Sequence, residues 1–181
     1  VNPLSGTEVW TVPGRGNRPL AAAGAPPEPL MPGAHTDTCN FCEARKLNTP
    51  PEKSRLVADG EGFAILRDAM PDELDNTVAE FRRVPNLFEI VSYDYWQKNY
   101  GYEMQAARRS HMERYLADPA GREHVLEIVR TRLAAAGQNP DRPEDELLEL
   151  APAYFGGGHD VIISRRHFVD GAENSAQLAG S

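Results

Sequence analysis

Between residues 93 and 150 the chain repeats its apolar residues at helical spacing, whereas the segments on both sides of that stretch read as strands. Strands gathered in separate runs around a helical block call for an α+β fold, with the block, at about residues 92–150, as a helical insertion. Its clearest helix starts where Asp118 can cap and Pro119 takes the first turn. Val125, Ile128, Val129 and Leu133 then fall on one face before Gly137. Further helices are expected over residues 105–116 and over residues 143–150, the latter with Glu144, Asp145 and Glu146 in its first turn.

The strand readings are shorter. Residues 7–11, with Val9 and Trp10, form one that breaks at the Gly- and Arg-rich turn from Pro13 to Pro19. Residues 62–66 and 77–84 form two more, separated by a polar, Asp-rich connection, and Pro85-Asn86 ends the second. The run from His159 to Ser164 is continuously apolar after its first two residues and follows Gly156-Gly157-Gly158, which predicts a buried strand entered through a flexible turn. Residues 20–34 are dominated by alanine, proline and glycine and read as an extended connector, so the chain divides into residues 1–34 and a body over residues 35–181.

A length of 181 residues with 40% hydrophobic content suits one domain with a core of its own. Nineteen basic against 27 acidic residues give a net charge of −8, the wrong sign for a protein that wraps duplex nucleic acid. No run approaches the roughly 20 apolar residues of a bilayer span, and no signal-peptide pattern opens the chain, so no membrane partner and a cytoplasmic location are expected. The two cysteines lie too close in sequence to staple distant parts of a fold, which also fits a reducing compartment. Val1 is no initiator methionine and the last eight residues are small and polar after a strand-like run, so the chain reads as a piece of something longer.

Cys39-Asn40-Phe41-Cys42 is the sharpest local signal, because a two-residue spacer lets both thiolates point at one tetrahedral ion. The same spacing occurs in thiol redox pairs. Those pairs usually open a helix after a strand, and residues 35–38 form no strand. Two more zinc ligands are needed, and the chain offers His35, His111, His124, His159 and His167. His111 and His124 fall in helical patterns, where a surface or core histidine is the plainer reading; His159 and His167 bracket the last strand, where they can converge on a loop-borne cysteine pair. Arg15 and Arg18, on a turn rich in glycine, have the forked guanidinium that grips phosphate oxygens, although arginines in turns are more often solvated charges. Asn86 beside Pro85 is placed to hydrogen-bond a ligand or simply to make the turn. The aromatic cluster Tyr93, Tyr95, Trp96, Tyr100 and Tyr102 suits packing of the insertion better than stacking of a base.

Taken in order, these segments resemble the N-terminal half of the galactose-1-phosphate uridylyltransferase family, within the histidine-triad superfamily. Trp10 to Pro19 is similar to that family's strand ending in Arg-x-x-Arg-Pro; Cys39-x-x-Cys42 with Asn48-Thr49-Pro50-Pro51-Glu52 resembles its Cys-x-x-Cys and trailing Thr-Pro-x-Glu. Arg83-Val84-Pro85-Asn86-Leu87-Phe88 resembles its Arg-Val-x-Asn element, and His159 to His167 its His-(Asp/Glu)-Val-x-x-x-Ser-Pro-x-His. The resemblance covers residues 6–91 and 154–168. It implies a mostly antiparallel sheet of a histidine-triad-like half domain, zinc as cofactor on Cys39, Cys42 and His167, and a nucleotide or nucleotide sugar held by Arg15, Arg18 and Asn86, with a homodimer as in related chains. The implied activity is transfer of a nucleoside monophosphate from a nucleoside diphosphate sugar or dinucleotide through a histidine. The His-x-His-x-Gln segment that bears this nucleophile does not occur here, so the resemblance assigns no catalytic residue to the chain. Arg165-Arg166 replaces the usual proline-containing pair, and the helical insertion is foreign to the family pattern. The alternative is a zinc-stabilised module that binds a nucleotide or a protein without catalysis.

Overall fold

The computed structural model describes Pro29, residues 39–86 and residues 92–167. Four strands, β1 (Ser54–Asp59), β2 (Gly62–Arg67), β3 (Ala79–Pro85) and β4 (Asp160–Ser164), form one sheet in the order β2-β1-β3-β4, and every neighbouring pair is antiparallel. Helices α2 (Tyr93–Tyr100), α3 (Ala106–Ala117), α4 (Pro119–Ala135) and α5 (Glu144–Leu148) all fall between β3 and β4, and a short α1 (Pro71–Asn76) joins β2 to β3. The architecture is α+β, as the change of residue period predicts, and the described sheet is antiparallel throughout, as the resemblance implies.

The helices start and stop for local reasons. Asp118 accepts a hydrogen bond from the Gly121 N–H at 2.8 Å, and Pro119 occupies the first turn of α4, where its missing N–H costs nothing. Gly121 lets α3 and α4 meet, because a Cβ there would lie 2.2 Å from the Tyr115 carbonyl oxygen and 2.8 Å from its ring. The apolar face of α4 is buried as its spacing predicts: Val125, Ile128, Val129 and Leu133 pack with Tyr115, Leu147, Ala151, Tyr154 and Phe155 in the main core. No helix among the described residues is long and apolar enough to cross a membrane.

Two readings of the strands change. Upstream of the strand expected at residues 62–66 lies an additional strand, β1, which pairs with both β2 and β3. Strand β4 is an edge strand whose only fully buried residue is Ile163, with Ile162 70% exposed; a continuous apolar run here marks half-burial at the sheet edge. Phe63, Ile65, Phe81 and Ile162 leave one face of the sheet exposed, whereas Arg55, Arg82, Val84 and Ile163 turn to the buried side. The glycine turn before β4 is also tighter than a hinge: a Cβ on Gly156 would meet the Tyr93 ring at 2.7 Å. The strand expected at residues 7–11 and the connector after it lie outside the described residues, apart from Pro29.

Candidate metal centre

Cys39 and Cys42 sit on a four-residue turn closed by the Cys42 N–H donating to the Cys39 carbonyl at 3.2 Å. A 3-10 helix, Glu43–Asn48, starts directly after it, with the Arg45 N–H bonded back to the Cys42 carbonyl. Neither cysteine is in a disulfide among the described residues. His167, three residues beyond β4, brings its Nε2 to 3.3 Å from the Cys39 sulfur and 3.6 Å from the Cys42 sulfur. Its Nδ1 lies 2.7 Å from the Ser164 carbonyl, which can only accept, so the ring proton sits on Nδ1 and the Nε2 lone pair is presented to the two sulfurs. A histidine oriented by a backbone carbonyl through its second nitrogen is the usual support of a metal ligand.

The donor set fits a tetrahedral cation. Zn–S bonds of about 2.3 Å and Zn–N bonds of about 2.0–2.1 Å put sulfur and nitrogen roughly 3.5 Å apart in tetrahedral geometry. The Nε2–sulfur separations of 3.3 and 3.6 Å match that spacing, and the three ligand atoms all lie within 4.8 Å of one another. Burial is the main cause that raises the Cys42 thiol pKa and makes it a weaker acid than usual, followed by its neighbour Cys39, while Arg82 and Arg45 act in the opposite direction. A bound divalent cation outweighs these effects, because a coordinating thiol is deprotonated outright.

The turn is held to the sheet by a buried charge network. Arg82 of β3 donates to the Phe41 carbonyl at 2.6 Å and contacts Thr49 and Glu52. Glu52 forms a two-pronged pair with Arg55 of β1, at 2.9 and 3.0 Å, and Arg55 continues to the Thr77 carbonyl and hydroxyl. All three charged side chains are buried.

The helical block reaches the same segment by a second route. The His124 Nε2 donates to the Thr49 carbonyl at 2.9 Å, which leaves its Nδ1 to accept from the Tyr115 hydroxyl at 2.8 Å. Burial lowers the His124 pKa, in keeping with a neutral core histidine.

A family profile matches residues 1–181, and it describes a domain of unknown function, DUF4921. The chain belongs to the DUF4921 family. No curated protein and no solved structure matches it.

In this DUF4921 chain the expected site residues separate into three sets. Cys39, Cys42 and His167 converge. Asn86 stands at the end of β3, its N–H bonded to the His159 carbonyl at 3.0 Å, beside an apolar cavity of about 410 Å³ whose walls include Phe41, Pro50, Ile128 and Val161. Arg15 and Arg18 lie outside the described residues, as does His35. His111 and His124 are core residues of the helical block, and His159 falls outside the ligand group found among the described residues. The network through Arg55 and Arg82 was not foreseen. Arginines in strands ordinarily read as surface charges, and only Glu52, in the stretch resembling Thr-Pro-x-Glu, signalled it.

Proposed function

We propose that this chain is the zinc-holding, nucleotide-binding part of a nucleotidyltransferase of the galactose-1-phosphate uridylyltransferase kind, acting on a nucleoside diphosphate sugar or a dinucleotide. The observation that carries the reading is the convergence of Cys39, Cys42 and His167, the residues named by the resemblance, although His167 is 125 positions from Cys42. Two thiolates and an imidazole suit zinc, whereas calcium and magnesium prefer oxygen donors. When bound, zinc neutralises the thiolates and ties the turn before the first 3-10 helix to the end of β4. Its part is structural.

The chain's own residues would then bind and position the nucleotide. Asn86 has the amide to hydrogen-bond a nucleoside in the cavity beside it, whose largely apolar walls suit a base. Arg15 and Arg18 are assigned to the phosphates by resemblance alone. Because the sequence holds no His-x-His-x-Gln segment, no residue of this chain is given the covalent step.

The test is retention of a nucleoside diphosphate sugar labelled at the α-phosphorus. Saturable retention that weakens in Asn86→Ala and in the Arg15→Gln, Arg18→Gln double variant, with no label surviving denaturation of this chain, is the expected result. Failure to retain any such compound overturns the nucleotide reading and leaves a zinc-stabilised protein-binding module in its place.

A further inference from the structure

The aromatic residues at the start of the helical insertion divide into two groups. Tyr93 is buried in the main core, where Gly156 makes room for its ring. Trp96 and Tyr100, four positions apart on α2 and so on one face of it, are 36% and 61% exposed. Their rings stand 5.1 Å apart at an angle of 44°, and the half-buried Tyr95 packs against both at 6.0 Å. Neither the Trp96 indole N–H nor the Tyr100 hydroxyl has a hydrogen-bond partner among the described residues.

A pair of inclined rings beside an indole donor is the device by which aromatic grooves hold polyproline segments. A proline ring sits against the rings, and the N–H donates to a carbonyl that the extended backbone leaves unbonded. A polyproline II helix has three residues per turn, so prolines three apart line one edge of it. The chain carries that pattern. Pro26, Pro29 and Pro32 are three apart within Pro26-Pro27-Glu28-Pro29-Leu30-Met31-Pro32, in the stretch that reads as an extended connector. The segment contains one charge, Glu28, and the α2 face offers the opposite one in Lys98, three positions after Tyr95 and so beside it. Pro29 is exposed in the structure, as are Trp96, Lys98 and Tyr100, so the proline edge at Pro29 and the aromatic face both stand uncovered in a single chain.

We propose that the Trp96 and Tyr100 face of α2 docks residues 26–32 of a second copy of the chain, with the Pro26, Pro29 and Pro32 edge against the two rings and Glu28 near Lys98. Reciprocal docking, in which each copy gives its segment and takes the other's, closes into a two-fold dimer. A proline-rich segment is already extended and loses little conformational freedom on binding, so a small aromatic face can hold it. Because α2 belongs to the insertion that is foreign to the resembling family, this contact is no part of the dimer that the family implies. None of these residues lines the nucleotide cavity or belongs to the metal centre, so failure of the docking would leave both of those readings untouched.

Sedimentation velocity of the 181-residue chain, with calorimetric titration of a peptide of residues 24–34, tests it. The chain should form a concentration-dependent dimer that the peptide dissociates. A peptide of the same composition, with its prolines moved off the three-residue spacing, should have no effect. Trp96→Ala should weaken peptide binding roughly tenfold or more, as loss of a central aromatic anchor does, and Tyr100→Ala should weaken it less. The Pro26→Ala, Pro29→Ala, Pro32→Ala triple variant should be monomeric and still take the peptide, because its aromatic face is intact. Ile162→Ser, on the exposed side of the sheet, should change nothing. Melting curves confirm that each variant is folded. The proposal is overturned if the peptide fails to bind at millimolar concentration, if Trp96→Ala binds it as the parent does, or if the triple variant dimerises like the parent. A monomeric parent whose triple variant binds the peptide more tightly would seat the segment on its own chain, and would equally overturn docking by a second copy.

Discussion

His111 is fully buried in α3, packed edge-on against Tyr115 and Phe155, and neither ring nitrogen has a hydrogen-bond partner among the described residues. Burial is the main cause that lowers its pKa to about 4 from 6.5, opposed by Asp68 and aided by Arg108. The unfolded chain therefore binds more protons than the folded one between these values, so stability is lost as pH falls from about 6.5 to about 4, by about 3 kcal/mol for this group. His111→Phe keeps the ring contacts and removes the orphaned nitrogens. It should be about 1 kcal/mol or more stable at neutral pH and show a flatter pH dependence over that range in urea titrations. Glu52 is the opposite case, since its carboxylate is the shared partner of Arg55 and Arg82. Glu52→Gln strands two buried guanidinium groups and should cost about 3–5 kcal/mol, read from the denaturant midpoint. An unchanged midpoint would mean that the network adds nothing to stability.

The link between α3 and α4 depends on two residues at one corner. Asp118→Ala removes the cap and should cost about 1 kcal/mol. Gly121→Ala should cost more, because the added carbon meets backbone at Tyr115 and the two helices must separate. If thermal melting ranks these two variants the other way, the close approach is relieved more easily than the geometry implies. This corner was legible in the sequence, because a cap, a proline and an apolar face at helical spacing agree with one another. β1 was not legible. Its Arg55 points inward to Glu52, and a buried arginine reads as the polar half of an alternation. α1 was missed for a related reason: six residues that include Asp72, Glu73 and Asp75 resemble a surface connection, yet the Met70 N–H bonded to Glu73 and the burial of Leu74 fold them into a helix.

At the scale of the molecule, the sheet and the helical block are joined through the segment that follows the cysteine turn. Arg82 reaches it from the sheet at Thr49 and Glu52, and Tyr115 with His124 reach it from the helices. The cysteine half of the centre was visible as a spacing. The histidine half was visible only through the order of motifs, because nothing local to His167 distinguishes it from His159; what selects it is the return of β4 beside β3, which carries it to the turn. A cation at the centre would bind folded protein in preference to unfolded and so stabilise the whole by mass action. The central claim is therefore most directly tested by the metal content of the purified chain, measured by mass spectrometry beside Cys39→Ser, Cys42→Ser and His167→Ala variants. About one zinc per chain, lost in the cysteine double variant and reduced in His167→Ala, with a lower melting temperature after chelation, is the result expected for three of the usual four ligands. Metal-free parent protein whose melting is indifferent to added zinc would contradict it.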